Sequence, residues 1–214
     1  MISVLMPYVN RLPQLNFTLN SFIRAGYKDI EVIIIDDGSP EELYYTQLIT
    51  TPFPLILKRL PYNTYTNPCV PYNVALSMAK GKYVLITSPE VYHPMNVLDP
   101  LQDNLEEYKM RLSSCLAIPE LGRINPTTEE LTSTTCPPWY THSVYRPNAY
   151  PFCALIHKQR LIDIGGWDED FRYASGYDDD WLLQCLTAIG VSFEIRDDLL
   201  VYHLAHPPAC HGDG

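Results

Sequence analysis

The sequence predicts an α/β fold built on a mainly parallel sheet with helices on both faces, and three observations carry that expectation. Apolar runs at 2–6, 30–35, 55–60 and 83–87 alternate with segments of helical period over the first ninety residues. The first two runs are almost unbroken in hydrophobicity, as strands covered on both faces are. Polar turns then follow the strands: Pro7-Tyr8-Val9-Asn10-Arg11, Asp36-Asp37 and Ser88-Pro89-Glu90. In open parallel sheets ligands bind outside the carboxyl ends of the strands, where these turns lie.

The elements follow in order. Residues 2–6 read as a buried strand ended by Pro7. Residues 12–25 carry Leu15, Leu19, Phe22 and Ile23 at helical spacing and stop at Gly26, a C-cap signal. The strand at 30–35 runs into Asp36-Asp37-Gly38-Ser39-Pro40, and 41–49 reads as a helix with Ser39 as its cap. A third strand (55–60), a helix (70–79) stopped at Gly81 and a fourth strand (83–87) complete the half of the chain expected to bind nucleotide, 1–93. In the remainder, 94–214, an amphipathic helix is predicted at 94–108 and a strand at 112–118. The segment 119–150 is irregular and rich in Asn, Thr, Ser, Pro and aromatics. A loop of that length is usually a lid or a binding wall, and stacked aromatics suit sugar faces as well as plain packing. A strand (152–157), a short helix (158–164) and the turn Gly165-Gly166 precede a helix that opens on Asp178-Asp179-Asp180. Strands at 191–195 and 199–203 follow. No internal repeat is present, and one domain is expected over 1–214.

Composition narrows the function. Lys and Arg number 15 against 25 Asp and Glu, a formal charge of −10. That argues against nucleic acid or an anionic membrane as partner, since both want concentrated positive charge. The N-terminus is too short and uncharged for a secretory signal, and no apolar run approaches membrane-spanning length, so a cytoplasmic protein without a transmembrane segment is expected. The 6 cysteines form no C-x-x-C pair, which predicts reduced, mostly buried thiols. There is no G-x-G-x-x-G after the first strand and no P-loop, so neither a dinucleotide fold nor a P-loop nucleotidase is supported.

Three consecutive carboxylates repel one another and persist where water screens them or where a cation or a helix N-terminus compensates them. Leu182, Leu183, Leu186 and Ile189 follow the Asp run at helical spacing, so the run opens a partly buried helix. On local grounds it is a solvated cap as readily as a functional site. A carboxylate after the second strand is likewise either a ribose or base ligand or a turn former.

Taken together, Met6-Pro7 with Asn10-Arg11, the strand ending in Asp36-Asp37-Gly38-Ser39, Tyr72-Asn73-Val74-Ala75 leading to Gly81, and Gly165-Gly166-Trp167-Asp168-Glu169 resemble the inverting glycosyltransferase family 2. The resemblance covers nearly the whole chain. It implies a GT-A type, Rossmann-like fold, a nucleotide-sugar donor and a divalent cation, Mn²⁺ or Mg²⁺. It places Pro7, Tyr8, Asn10, Arg11, Asp36, Asp37 and Asn73 at the nucleotide, and Trp139, Tyr140, Trp167 and Asp168 on the acceptor side. Where that family has Asp-x-Asp, this chain has Thr87-Ser88-Pro89, with Glu90 one residue later. Glu90 and His203 are then the implied metal ligands, His206 being the runner-up for the histidine.

The family's base is the second acid of a pair opening the late helix. One register makes Asp179 the base with Asp178 in support; the other makes Asp178 the base and Asp180 the trailing acid. The expected chemistry is one displacement at the anomeric carbon of a donor, UDP-linked by expectation, by a hydroxyl of a glycan or other acceptor. Two other readings stay open: a catalytically degenerate nucleotide- or carbohydrate-binding module, motivated by the missing Asp-x-Asp, and a nucleotidyltransferase.

Overall fold

The structure, a computed structural model, describes residues 1–62, 64–118 and 139–206. Strands β1 (Ile2–Tyr8), β2 (Ile30–Asp36), β3 (Leu55–Arg59) and β4 (Tyr83–Thr87) pair in parallel in the order β3-β2-β1-β4. Helix α1 (Leu12–Arg24) links β1 to β2, and α2 (Cys69–Met78) links β3 to β4. These are the connections that a right-handed βαβ chain requires.

Beyond β4 come β5 (Val91–Tyr92), the single-turn helix α3 (Leu98–Gln102), β6 (Lys109–Ala117) and β7 (Trp139–Thr141). After these lie β8 (Cys153–His157), α4 (Lys158–Asp163), α5 (Asp178–Ala188) and β9 (Ser192–His203). Strand β8 inserts antiparallel between β4 and β6, β9 pairs in parallel with β6, and β5 closes the far edge against β9. Among the described residues the result is a 9-stranded, mostly parallel sheet.

Period-two alternation divides the core. Val4, Met6, Val32 and Ile34 face Leu15, Leu19 and Phe22 of α1. Leu5, Ile33, Ile35, Val84 and Ile86 face Ala75, Leu161, Leu182 and Leu186 of α2, α4 and α5. Among the described residues no helix is long and apolar enough to cross a membrane. Cys69, Cys115 and Cys153 are buried free thiols and Cys185 is half-buried and free; Cys136 and Cys210 lie outside the described residues.

Three local expectations change. The helix expected at 41–49 is only a 3-10 turn, Tyr45–Gln47. Tertiary partners take its backbone groups: Asp36 accepts from Leu43 N, and the Asn16 amide bonds both Ile49 N and Gln47 O. The helix expected at 94–108 shrinks to α3, because Asn104 enters the left-handed region at φ 49° and ends it. The two last strands are one continuous β9, kinked by a register shift opposite Ser113 and Ser114. Residues 119–138 of the irregular segment lie outside the described residues.

A buried polar chain locks the α2–β4 turn onto the first two strands. Ser3 Oγ donates to Glu31 Oε1 (2.6 Å), which also accepts from Lys80 N (2.7 Å), while Gly81 N donates to Ser3 Oγ (2.8 Å). A Cβ at Gly81 would stand 2.6 Å from Ser3 N and 2.9 Å from Met1 O, both backbone atoms that cannot swing aside. Gly81→Ala is therefore expected to lower stability by about 2 kcal/mol or more, read by denaturant melts; an unchanged midpoint would show that the turn yields.

Candidate active site

The carboxyl ends of β1, β2 and β4 open onto a cleft of about 240 Å³ lined by Pro7, Tyr8, Arg11, Asp37, Tyr72, Ser88 and Glu90, with the 65–68 loop as its outer wall. Asp37 faces this cleft. Asp36 does not: it is fully buried, accepting from Ser39 N (2.9 Å) and pairing with Arg59 (3.1 Å). Arg59 also donates to Ser39 O (2.7 Å), so Asp36 shapes the turn that presents Asp37. Tyr8 is buried at the cleft floor, and burial pushes its phenol up to about 12, which keeps it protonated. Asn10, at φ 48°, is exposed and lines neither cleft, its N–H donating to Ser39 Oγ (3.0 Å).

A second cleft, about 210 Å³, adjoins the first. Pro68, Tyr72, Ser88 and Glu90 line both; Thr87, Pro151, Phe152, Asp178, Asp179 and His203 complete the second. Tyr72 forms the partition, its hydroxyl donating to Thr87 O (3.1 Å) and its ring stacked on Trp167 at 4.6 Å. Trp167 is buried beneath that partition rather than open toward an acceptor. Asp168 caps the short 3-10 helix Glu169–Tyr173 by accepting from Asp170 N.

Asn73 lies behind the partition. It accepts from Trp167 N (2.8 Å) and donates to Trp167 O (2.8 Å) and Glu169 Oε1 (2.9 Å). It is not among the residues lining either cleft. Gly166, at φ 80°, is required there, since a Cβ would meet Asn73 Oδ1 at 2.3 Å.

Helix α5 starts abruptly. Gly176 (φ 90°) and Tyr177 (φ 69°) are both left-handed, and Tyr177 occupies the N-cap position with no side-chain cap. All three aspartates are thus in the first helical turn, where the helix dipole favours negative charge. Leu182 and Leu186 anchor the helix in the core, so its first turn is held at the cleft mouth. Burial first, then the charges of Asp178 and Asp180, push Asp179 up to about 7. Desolvation therefore outweighs the helix terminus, and the carboxyl titrates near neutrality, where a general base is most effective. Asp180 instead accepts from Tyr150 OH (3.2 Å).

Glu90 belongs to the turn after β4, and the β5–β9 pairing sets Val91 opposite His203 while Leu204 N donates to Glu90 O (2.7 Å). Glu90, His203 and His206 consequently offer ligand atoms that all lie within 4.8 Å of one another. Glu90 Oε2 is buried with no hydrogen-bond partner. Burial overrides the pull of Glu90 and pushes His203 down to about 4, so its ring is neutral and has a lone pair to give. Tyr140, stacked on Phe152, packs its ring edgewise against His203 at 4.9 Å. Trp139 stacks on Tyr145 and lies edgewise to His142, away from both clefts. A buried carboxylate with two imidazoles facing its Oε1, and an Oε2 that no other group satisfies, fits a divalent cation of the Mn²⁺ type. The electrostatics agree: among the described residues Asp37, Glu90, Asp178 and Asp179 line the two clefts, with Arg11 as the one Lys or Arg beside them.

The sequence pointed to most of these residues but not to the partition Tyr72, the Pro151-Phe152 wall or the 65–68 loop. Tyr72 was within reach, since it stands next to Asn73 in the motif; the other two have no local signature.

Among solved structures the chain resembles S. aureus TarS 1-349, at TM-score 0.67 and 19% identity over 95% of this chain and 60% of that one. Its complex with UDP gives 0.67 and 20% identity, covering 96% and 61%, and its complex with UDP-GlcNAc gives 0.69 and 18%, covering 98% and 60%. The chain thus spans about 60% of the length of that protein fragment. No curated protein sequence matches it. The family profile of glycosyl transferase family 2 matches residues 3–139, more than half of the chain, across β1 to β6 and the first cleft. With that sequence match and a GT-A fold around the cleft at the strand ends, this chain belongs to glycosyltransferase family 2.

Proposed function

We propose that the chain transfers a sugar, with inversion, from a UDP-linked donor to a hydroxyl of a glycan or other acceptor, with Asp179 as the general base. The observation that carries this reading is the pair of clefts joined at Tyr72, Ser88 and Glu90, with Asp37 at one end and Asp179 at the other. The first cleft would take the nucleotide, and the likeness to a fold solved with UDP and UDP-GlcNAc supports a uridine nucleotide there. The second would seat the transferred sugar and the attacking hydroxyl.

Asp179 accepts the hydroxyl proton as the acceptor oxygen bonds to the anomeric carbon. The bond from that carbon to the diphosphate breaks, and the nucleoside diphosphate leaves. Asp178, one residue away, helps hold the Asp179 pKa near neutrality. Tyr72 and Phe152 narrow the passage and exclude water that would otherwise hydrolyse the donor. Glu90, His203 and His206 would hold a divalent cation, which when bound neutralises charge on the departing diphosphate.

The test is a panel of nucleotide sugars screened for binding and slow hydrolysis with Mn²⁺, with Mg²⁺ and with chelator. UDP-sugars should bind and hydrolyse with Mn²⁺, and chelation should lower the rate by about a hundredfold or more. Binding without hydrolysis would indicate a degenerate module. Pyrophosphate release from a nucleoside triphosphate would indicate a nucleotidyltransferase.

A further inference from the structure

Among the described residues, Arg11 is the one basic side chain on the wall of the nucleotide cleft. Its Nη1 lies 2.5 Å from Glu90 Oε1, joining residues 79 apart in the chain. Both side chains are largely withdrawn from water, with 16% and 6% of their surfaces exposed, so the contact is not a solvent-screened surface pair. The same oxygen faces the two histidines: His206 Nε2 is 3.5 Å from it and His203 Nε2 is 3.7 Å. The guanidinium and the imidazoles therefore converge on one atom, while Glu90 Oε2 stays buried and unpartnered.

We propose that Arg11 is an exchangeable counter-cation. In the empty site it neutralises Glu90. When a divalent ion binds at Glu90, His203 and His206 it displaces the guanidinium, which then pairs with the diphosphate of the donor. This rests on the metal-site reading above and adds a competition to it. One carboxylate oxygen serves a guanidinium and a metal ion poorly at once, since the two positive charges repel and draw on the same electron density. A buried carboxylate with no cation beside it is strongly disfavoured, which is why a resident guanidinium is needed before the metal arrives. Once released, Arg11 remains on the cleft wall, and its planar fork matches phosphate oxygens two at a time. Metal and nucleotide then favour each other's binding, because the metal takes Glu90 from Arg11 and the diphosphate takes Arg11 from Glu90.

The experiment measures Mn²⁺ affinity of the nucleotide-free protein by electron paramagnetic resonance of the free ion. Arg11→Gln removes the competing charge and is expected to bind Mn²⁺ roughly tenfold more tightly than wild type. Arg11→Lys keeps a cation and should stay close to wild type. Glu90→Gln should abolish the gain in the Arg11→Gln background. UDP should bind more weakly to Arg11→Gln even at saturating Mn²⁺. Thermal melts confirm folding, and Arg11→Met carries the same expectation should the Gln variant fail to fold. If wild type binds Mn²⁺ and Arg11→Gln binds it equally or more weakly, the exchange is wrong while the metal site stands. If Arg11→Lys gains as much as Arg11→Gln, or the gain survives Glu90→Gln, charge competition at Glu90 is refuted. If neither wild type nor Arg11→Gln binds Mn²⁺, the metal site fails and the exchange fails with it.

Discussion

Asp179→Asn is expected to lower turnover by about 10³-fold while leaving the donor KM within a factor of two or three, because the amide keeps the shape and loses the base. The pH profile should carry the signature. With the carboxyl titrating near 7, wild-type kcat rises through neutrality as Asp179 ionises, and the variant's residual rate lacks that limb. Asp178→Asn removes one of the two neighbouring charges that raise Asp179, so the limb should move toward lower pH without disappearing. If instead Asp178→Asn abolished turnover and Asp179→Asn did not, the base would be Asp178.

The same shift has a stability consequence. Folding raises the Asp179 pKa above that of an unfolded aspartate, so between about pH 4 and 7 the native state binds more protons than the unfolded one. Stability then falls as pH rises through that window, and above it the ionised carboxylate is a standing penalty. Asp179→Asn should be more stable than wild type at pH 8, by on the order of 2 kcal/mol, and nearly equal to it at pH 4. A catalytic loss accompanied by a stability gain would mark a carboxylate held where folding alone would not place it.

The second large effect is expected at Asn73. Its amide makes three hydrogen bonds to the Gly166–Glu169 segment, and Trp167 of that segment supports the partition Tyr72. Asn73→Ala leaves Trp167 N and Trp167 O without these partners and should lower stability by about 2–3 kcal/mol. For a chain of this size that is a fall of roughly 5–10 °C in Tm. Turnover should fall with it, since Tyr72 bounds the cleft that holds Asp179, while the donor KM changes little. A raised donor KM with an unchanged Tm would instead mean that Asn73 touches the nucleotide, the role implied by its motif.

Asn73 and Trp167 illustrate why residue roles are harder to read than residue positions. Both stand in recognisable motifs, yet whether a side chain faces a cleft or braces its wall depends on a partner 94 residues away. Asp36 and Asp37 divide in the same way. Adjacent and chemically identical, they differ in what reaches them: Arg59 of β3 and the N–H groups of Ser39 and Leu43 occupy Asp36, while Asp37 lines the cleft.

The sequence by itself determined the alternating strands and helices of the first half, the polar turns at the strand ends and the acidic opening of α5. These follow from local periodicity and from breakers such as Gly26 and Gly81, which act within a few residues, whereas Pro7 does not end β1, which runs on to Tyr8. It overstated the helices at 41–49 and 94–108, where tertiary hydrogen bonds and a left-handed Asn104 override local preference. Only the tertiary structure decided that Glu90, His203 and His206 share one point in space, because that depends on the β5–β9 pairing across distant parts of the chain. It also decided the pKa of Asp179, which the first turn of a helix would lower and which burial in a cleft raises instead. Desolvation is a property of what surrounds a group from every side, and no stretch of sequence around it records that.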